Sequence, residues 1–222
     1  MTWKQLFTSS IGKKSLMGLT GFFLIIYLIV HASINSLIFY NDDGATFNIT
    51  AHFMLHNYFV RFLEVGLFAV FVLHIIQGLL LWQQNKAARK IKYHVQKYPR
   101  EIKWYSRYMG WLGTFILLFL VMHLYHFWAG TKHELYFSGP VVDLYQEMKV
   151  IFTNPVWFTL YMIGLASLLF HLLQGFQSAF QTFGINNSRW LPIIRGIGVF
   201  YSIAICILFA SMPIAFMAGW LK

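Results

Sequence analysis

His31, His74, His123 and His171 each fall inside a different long, nearly charge-free apolar run. Ionisable side chains inside a membrane are costly, and the default reading of one is functional. Their depths alternate with chain direction. His31 and His123 come late in runs that head outward, and His74 and His171 come late in runs that return. The result is two pairs of facing imidazoles at two levels. A neutral imidazole offers one ring nitrogen to a metal while the other donates a hydrogen bond. Two such ligands saturate a haem iron and leave no position for oxygen, so the site transfers electrons instead of activating a substrate. Two stacked haems require this arrangement. A lone intramembrane histidine reads more readily as an interhelical hydrogen-bonding residue, but four matched in depth and local sequence do not.

Depth follows from a rise of about 1.5 Å per residue, which puts His31 and His123 ~22 Å from the inner ends of their runs, His74 ~12 Å and His171 ~15 Å. The two levels then differ by ~7–10 Å before tilt. Short connections make sequential helices antiparallel neighbours, so the first and third spans are diagonal partners, as are the second and fourth. Anything gripped by a diagonal pair sits near the bundle axis. A faint internal repeat selects the same pairs. His74-Ile75-Ile76-Gln77-Gly78 parallels His171-Leu172-Leu173-Gln174-Gly175, and Gly18 and Gly21 precede His31 at the offsets by which Gly110 and Gly113 precede His123. A flat macrocycle between helices needs small residues where it meets backbone. Gly78 and Gly175, one turn beyond their histidines, suit that role, and Gly18, Gly21, Gly110 and Gly113 fall near the inner level.

Other titratable residues compete for attention. His126 lies one turn beyond His123 on a neighbouring face, but its offset from the glycines breaks the repeat, so His123 is the favoured ligand. His126 is left to pair with a haem propionate or a quinone. His52 and His56 lie in an outer connection, and His94 and His133 are also outside the spans; these read as surface or interfacial residues. Glu64 is the one carboxylate inside a span, with Arg61 one turn before it. A local ion pair at the membrane interface is one reading. A proton donor or acceptor for a quinone is the other, because quinone chemistry couples electrons to protons.

The 222 residues that carry these groups are 58% hydrophobic, 19% aromatic and only 11% charged, which excludes an ordinary soluble domain. Five runs are long enough to cross the hydrocarbon core as helices: 16–40, 59–82, 108–130, 155–181 and 191–220. Helices are expected because an open sheet cannot satisfy its backbone in lipid, and a barrel would show short alternating segments. The fold class is therefore an all-α integral membrane bundle, one domain over 1–222. All of the 17 basic residues except Arg61, Lys132, Lys149 and Lys222 fall on one side of these spans. The positive-inside rule makes that side cytoplasmic, with the N-terminus inside and the C-terminus external. The net charge of +10 thus describes a cytoplasmic face suited to anionic lipid or an acidic partner, and not to nucleic acid.

The N-terminal lysines before the first run mimic a signal peptide. That run is too long for one and lacks a small-residue cleavage site, so it is expected to remain as a span. Between spans, Asp42-Asp43-Gly44 signals a turn at the start of the outer connection 41–58, and Val141–Phe152 reads as a short interfacial helix before Asn154-Pro155 opens the fourth span. The inner connection 83–107 is strongly basic and interrupted by Pro99, which serves topology and offers a docking face. Cys206 is the single cysteine, so the chain can hold neither an internal disulfide nor an iron–sulfur cluster on its own thiolates. No glycine-rich phosphate loop is present.

Taken together, the chain resembles the membrane cytochrome b subunit of succinate dehydrogenases and fumarate reductases, in the five-helix, two-haem, single-subunit form. The resemblance runs over nearly the whole length. It rests on His31, His74, His123 and His171, on Ala51-His52-Phe53-Met54 in the outer connection, on Leu63-Glu64 opening the second span, and on Phe170-His171 with Gly175. It implies that His74 and His171 hold a proximal haem b and His31 and His123 a distal one. It also implies a cytoplasmic iron–sulfur subunit and a flavoprotein carrying FAD and the dicarboxylate site, with this chain having none of its own. Electrons then pass between those partners and a menaquinone-type quinone in the bacterial cytoplasmic membrane, with a higher oligomer of the complex left open. Glu64 matches the family's acidic position at the distal quinone site approximately. The second glutamate that some fumarate reductases place beside the fourth-span histidine is replaced here by Leu169, Phe170, Leu172 and Leu173. The rival readings are the cytochrome b subunit of another quinone-linked dehydrogenase, of hydrogenase or formate dehydrogenase type, and a haem-free transporter.

Overall fold

The computed structural model describes residues 9–40, 42–87, 103–133, 136–137, 143–185 and 187–221. Among these residues the protein is all-helical, with five helices long and apolar enough to cross a membrane. They are α1 (Ser10–Asn35), α3 (Tyr58–Ala87), α4 (Met109–Leu124), α6 (Pro155–Thr182) and α7 (Trp190–Met217). Two shorter helices, α2 (Ala45–His56) and α5 (Leu144–Thr153), lie in the connections. A 3-10 turn, Ser36–Phe39, extends α1, and a π-helical turn, Tyr125–Ala129, followed by Gly130–His133, extends α4.

The ends of these helices follow from capping chemistry. Ser9 accepts the Gly12 N–H at 3.0 Å, so α1 begins six residues before the expected span, and Lys13 and Lys14 belong to its first turns. Asn154 accepts from the Val156 and Trp157 N–H groups, and Pro155 occupies the first helical position, where no N–H is needed. The outer connection differs more from expectation. Beyond its Asp42-Asp43-Gly44 turn it forms a full helix, α2, with Thr46 N–H bonded back to Asp42 Oδ2 at 2.9 Å. The interfacial helix expected over 141–152 is present as α5 over its described part. Most of the basic inner connection lies outside the described residues.

Four of the crossing helices form a square. α1 packs on α3 and α6, and α4 packs on α6 and more lightly on α3, while the diagonals α1/α4 and α3/α6 have no substantial contact. The expected diagonal arrangement is thus present. α7 lies outside the square against α6 and α1, where the Tyr201 hydroxyl donates to the Ile25 carbonyl oxygen at 2.7 Å. One end of the bundle is closed by α2 and α5, which touch each other through Asn48: its amide donates to Asp143 and accepts the Tyr145 N–H. Beneath them Ile38, Phe47, Tyr145, Phe152, Met212 and Phe216 form a core. Around the outside, Ile29, Val72, Leu118, Ile163 and Ile203, near the middles of the five spans, are 44–63% exposed. A belt of that size would be a liability in water and is what lipid tails require.

Gly44 holds the turn into α2 at φ +79°, and a Cβ there would meet Tyr145 Cγ at 2.2 Å. Gly44→Ala should therefore cost at least about 1–2 kcal/mol from the left-handed backbone alone. The thermal midpoint in detergent checks this, and an unshifted midpoint would contradict it.

Candidate functional site

Across one diagonal of the square, at the level farther from α2 and α5 (here the inner pair), α3 and α6 bring His74 and His171 together edge-on, with ring centroids 6.3 Å apart at 66°. Across the other diagonal, α1 and α4 bring His31 and His123 to 5.7 Å at 88°. Two imidazoles gripping one metal from opposite sides, with bonds of about 2.0–2.1 Å, have centroids about 6 Å apart. Both pairs are near that spacing. The four histidines singled out in the sequence are thus brought together two by two.

The inner pair is built into its surroundings by α1 and α4. The Thr20 hydroxyl gives its hydrogen to the Leu16 carbonyl oxygen at 2.8 Å, so the bond of 3.1 Å to His74 Nδ1 is one that the ring donates. That fixes the tautomer and leaves the Nε2 lone pair of His74 free for a ligand. A Cβ on Gly21 would sit 3.5 Å from His74 Cε1, and one on Gly113 would sit 3.8 Å from His171 Cε1. Glycine at both positions keeps the flank of each imidazole clear. Gly78 meets the Met17 methyl and Gly175 the Met109 methyl, so the repeat extends to that pair of methionines. Gly18 and Gly110 behave differently from expectation. Gly18 abuts Thr182 and Gly110 abuts the Trp82 indole, so they set helix–helix contacts and do not border the histidines.

The level of the inner pair is also revised. His74 meets α1 at Thr20 and Gly21, ten residues before His31, which separates the two levels by roughly 15 Å along the helix. Reading depth from the ends of apolar runs underestimated this. α1 starts earlier and α3 ends later than those runs do.

The outer pair sits in an aromatic sleeve. Tyr27 stacks on His31 at 5.4 Å, Phe119 stacks on His123 at 5.7 Å, and Phe209 of α7 approaches His31 at 5.4 Å. Gly164 makes this possible, since a Cβ there would strike Phe119 at 2.2 Å. Asn35 places its amide nitrogen 3.3 Å from His31 Nδ1, and that amide also donates to the His31 carbonyl oxygen.

Each pair leaves one nitrogen unsatisfied. The Nδ1 atoms of His171 and His123 are buried with no hydrogen-bond partner. The repeat explains both. Position 112 corresponds to Thr20 and is Leu; position 127 corresponds to Asn35 and is Phe. Phe127 accordingly packs on His123 at 5.3 Å. Ring spacing at both levels, and cleared flanks at the inner one, fit two bis-imidazole sites.

Two further clusters lie nearer the end closed by α2 and α5. His126 does not face His31: its Nδ1 lies 3.1 Å from the Tyr161 hydroxyl, and its ring packs on Trp157 and Tyr161. Glu64 is more heavily engaged than an Arg61 pair alone suggests. Lys132 Nζ is 3.0 Å from its Oε1, Trp128 Nε1 donates to the same oxygen, and Arg61 lies 3.5 Å from Oε2. Thr20, Trp128, Lys132 and Tyr161 were not singled out in the sequence. A polar residue directly beside a repeated glycine could have flagged Thr20, but nothing local ties Trp128 and Lys132 to α3.

Thr20→Val keeps the shape of the side chain and orphans His74 Nδ1. It should destabilise the apo-chain by about 1–3 kcal/mol. Denaturant unfolding in micelles measures this, and stability equal to wild type would show that the bond contributes nothing. No protein-family model matches this chain, and neither does any curated protein or solved structure.

Proposed function

We propose that this chain is the membrane anchor and dihaem cytochrome b subunit of a succinate:quinone oxidoreductase in a bacterial cytoplasmic membrane, with its N-terminus cytoplasmic and its C-terminus external. The observation that carries this reading is the pair of diagonal imidazole clamps at two levels. No third His, Cys, Asp or Glu gathers at either clamp among the described residues. Two protein ligands suffice for a metal whose other positions come from a macrocycle.

In this reading His74 and His171 hold the haem nearer the cytoplasmic face, and His31 and His123 hold the other. Bound haem b would supply one-electron transfer, and the imidazoles holding it and their surroundings would set its potential. The chain's own residues do the rest. Thr20 orients His74, Gly21 and Gly113 keep the inner clamp open, and the Tyr27 and Phe119 rings exclude water from the outer one. Glu64 holds or passes a proton at its carboxylate for a menaquinone-type quinone, while Lys132, Arg61 and Trp128 fix where that carboxylate points. The basic inner connection, described at 83–87 and from Lys103 onward, receives the iron–sulfur subunit, with the FAD flavoprotein beyond it. Trp104 packs on Phe170 at 4.6 Å and so ties that connection to the helix turn that carries His171.

The purified complex should show a b-type reduced-minus-oxidised spectrum and two haems per chain. His74→Ala and His171→Ala should each remove the same spectral component, and His31→Ala and His123→Ala the other. Loss of one shared component from His31→Ala and His74→Ala would defeat the pairing. A molybdenum or nickel–iron partner copurifying in place of a succinate-oxidising flavoprotein would assign the chain to another quinone-linked dehydrogenase.

Glu64→Gln should keep both haems and lower quinone turnover by about 100-fold or more. Turnover at the wild-type rate would remove Glu64 from proton transfer and leave it as a tie between α3 and the end of α4.

A further inference from the structure

His52 and His56 lie one turn apart on α2, and both are exposed. Their rings stack with centroids 4.0 Å apart and an interplanar angle of 27°. His56 Nδ1 lies 2.9 Å from the His52 carbonyl oxygen. A carbonyl can only accept, so Nδ1 of His56 carries the ring proton and Nε2 keeps its lone pair. A backbone carbonyl on one ring nitrogen is the outer-shell contact that metal-bound histidines characteristically make. Ile49, Phe53 and Asn57 line a shallow surface depression beside the two rings.

We propose that His52 and His56, one helical turn apart and exposed, turn out of this stack to form a two-imidazole chelate for a divalent transition-metal ion of the kind that prefers nitrogen ligands, such as Zn2+ or Cu2+. Imidazole suits these ions, whereas Mg2+ and Ca2+ require oxygen ligands, and no Asp or Glu joins the pair among the described residues. Water fills the remaining positions. The chelate spans the last turn of α2, directly before Asn57, whose side chain accepts the Phe59 and Val60 N–H groups at the start of α3. A bound ion therefore stiffens the joint between α2 and the helix that carries Glu64 and His74. The site is separate from the four histidines of the bundle, so it stands or falls independently of the haem reading.

The test uses the full-length purified protein in detergent, stripped of loosely bound metal and titrated with Zn2+ against a chromogenic chelator. His52→Gln and His56→Gln keep helix-forming, polar side chains at both positions. Loss of an outer-shell partner alone costs about 10–100-fold in metal affinity, so losing one of two imidazoles should weaken the tightest equivalent by about 100-fold or more. Helical circular dichroism should be unchanged in both variants. Zn2+ stoichiometry and affinity equal to wild type in the double variant would overturn the proposal. If a variant fails to fold, one equivalent of Cu2+ on the wild-type protein as purified still decides: coupling to two imidazole nitrogens in its electron paramagnetic resonance spectrum supports the chelate, and coupling to one or none rejects it.

Discussion

An imidazole buried among apolar side chains brings two ring nitrogens into a place without water, and each must find a partner or carry a cost of about 1–3 kcal/mol. This protein places four half-buried rings of that kind in its bundle. It meets the demand unevenly: Thr20 engages His74 and Asn35 reaches His31, while His123 and His171 keep an orphaned Nδ1. Two such atoms are left near the centre of the bundle. Much of the surrounding sequence follows from that demand. Gly21, Gly113 and Gly164 are small because imidazoles or their stacking partners lie beside them. The diagonal helices stand apart because the rings occupy the axis.

The unevenness also says something about the two halves of the chain. Spans one and two resemble spans three and four in their glycines, methionines and histidines, yet the polar partners are kept in the first half alone. Thr20 corresponds to Leu112 and Asn35 to Phe127. The second half exchanges hydrogen bonds for packing: Phe127 lies against His123, and Leu112 is buried. The two imidazoles of each pair therefore differ in how firmly their rings are oriented, even though the internal repeat relates one to the other.

The crossing helices and the two histidine pairs were legible because hydropathy and depth are properties of single segments. Register between segments was not. The level separation came out near 15 Å instead of 7–10 Å because helix ends depend on caps such as Ser9, which lie outside the apolar runs. Gly18 and Gly110 share the repeat with Gly21 and Gly113, but side-chain direction on the helix sends them toward Thr182 and Trp82. α2 was read as a connection because its sequence, opening after an Asp-Asp-Gly turn, carries little amphipathic contrast. The Glu64 cluster joins residues 64, 128 and 132, and no periodicity within one span announces a contact across two.

The π-helical turn Tyr125–Ala129 stands between His123 and Lys132 on the same helix. Upstream of it the side chains are phased by the imidazole they oppose; downstream, by the carboxylate of Glu64. A π turn accommodates one residue more than an α-turn, and removing that residue would rotate everything beyond it by about 100°. Lys132 and Trp128 would swing off Glu64 while His123 stayed where it is. The extra residue thus works as a phase adjuster, letting one rod answer to two neighbours whose spacing no uniform helix could match.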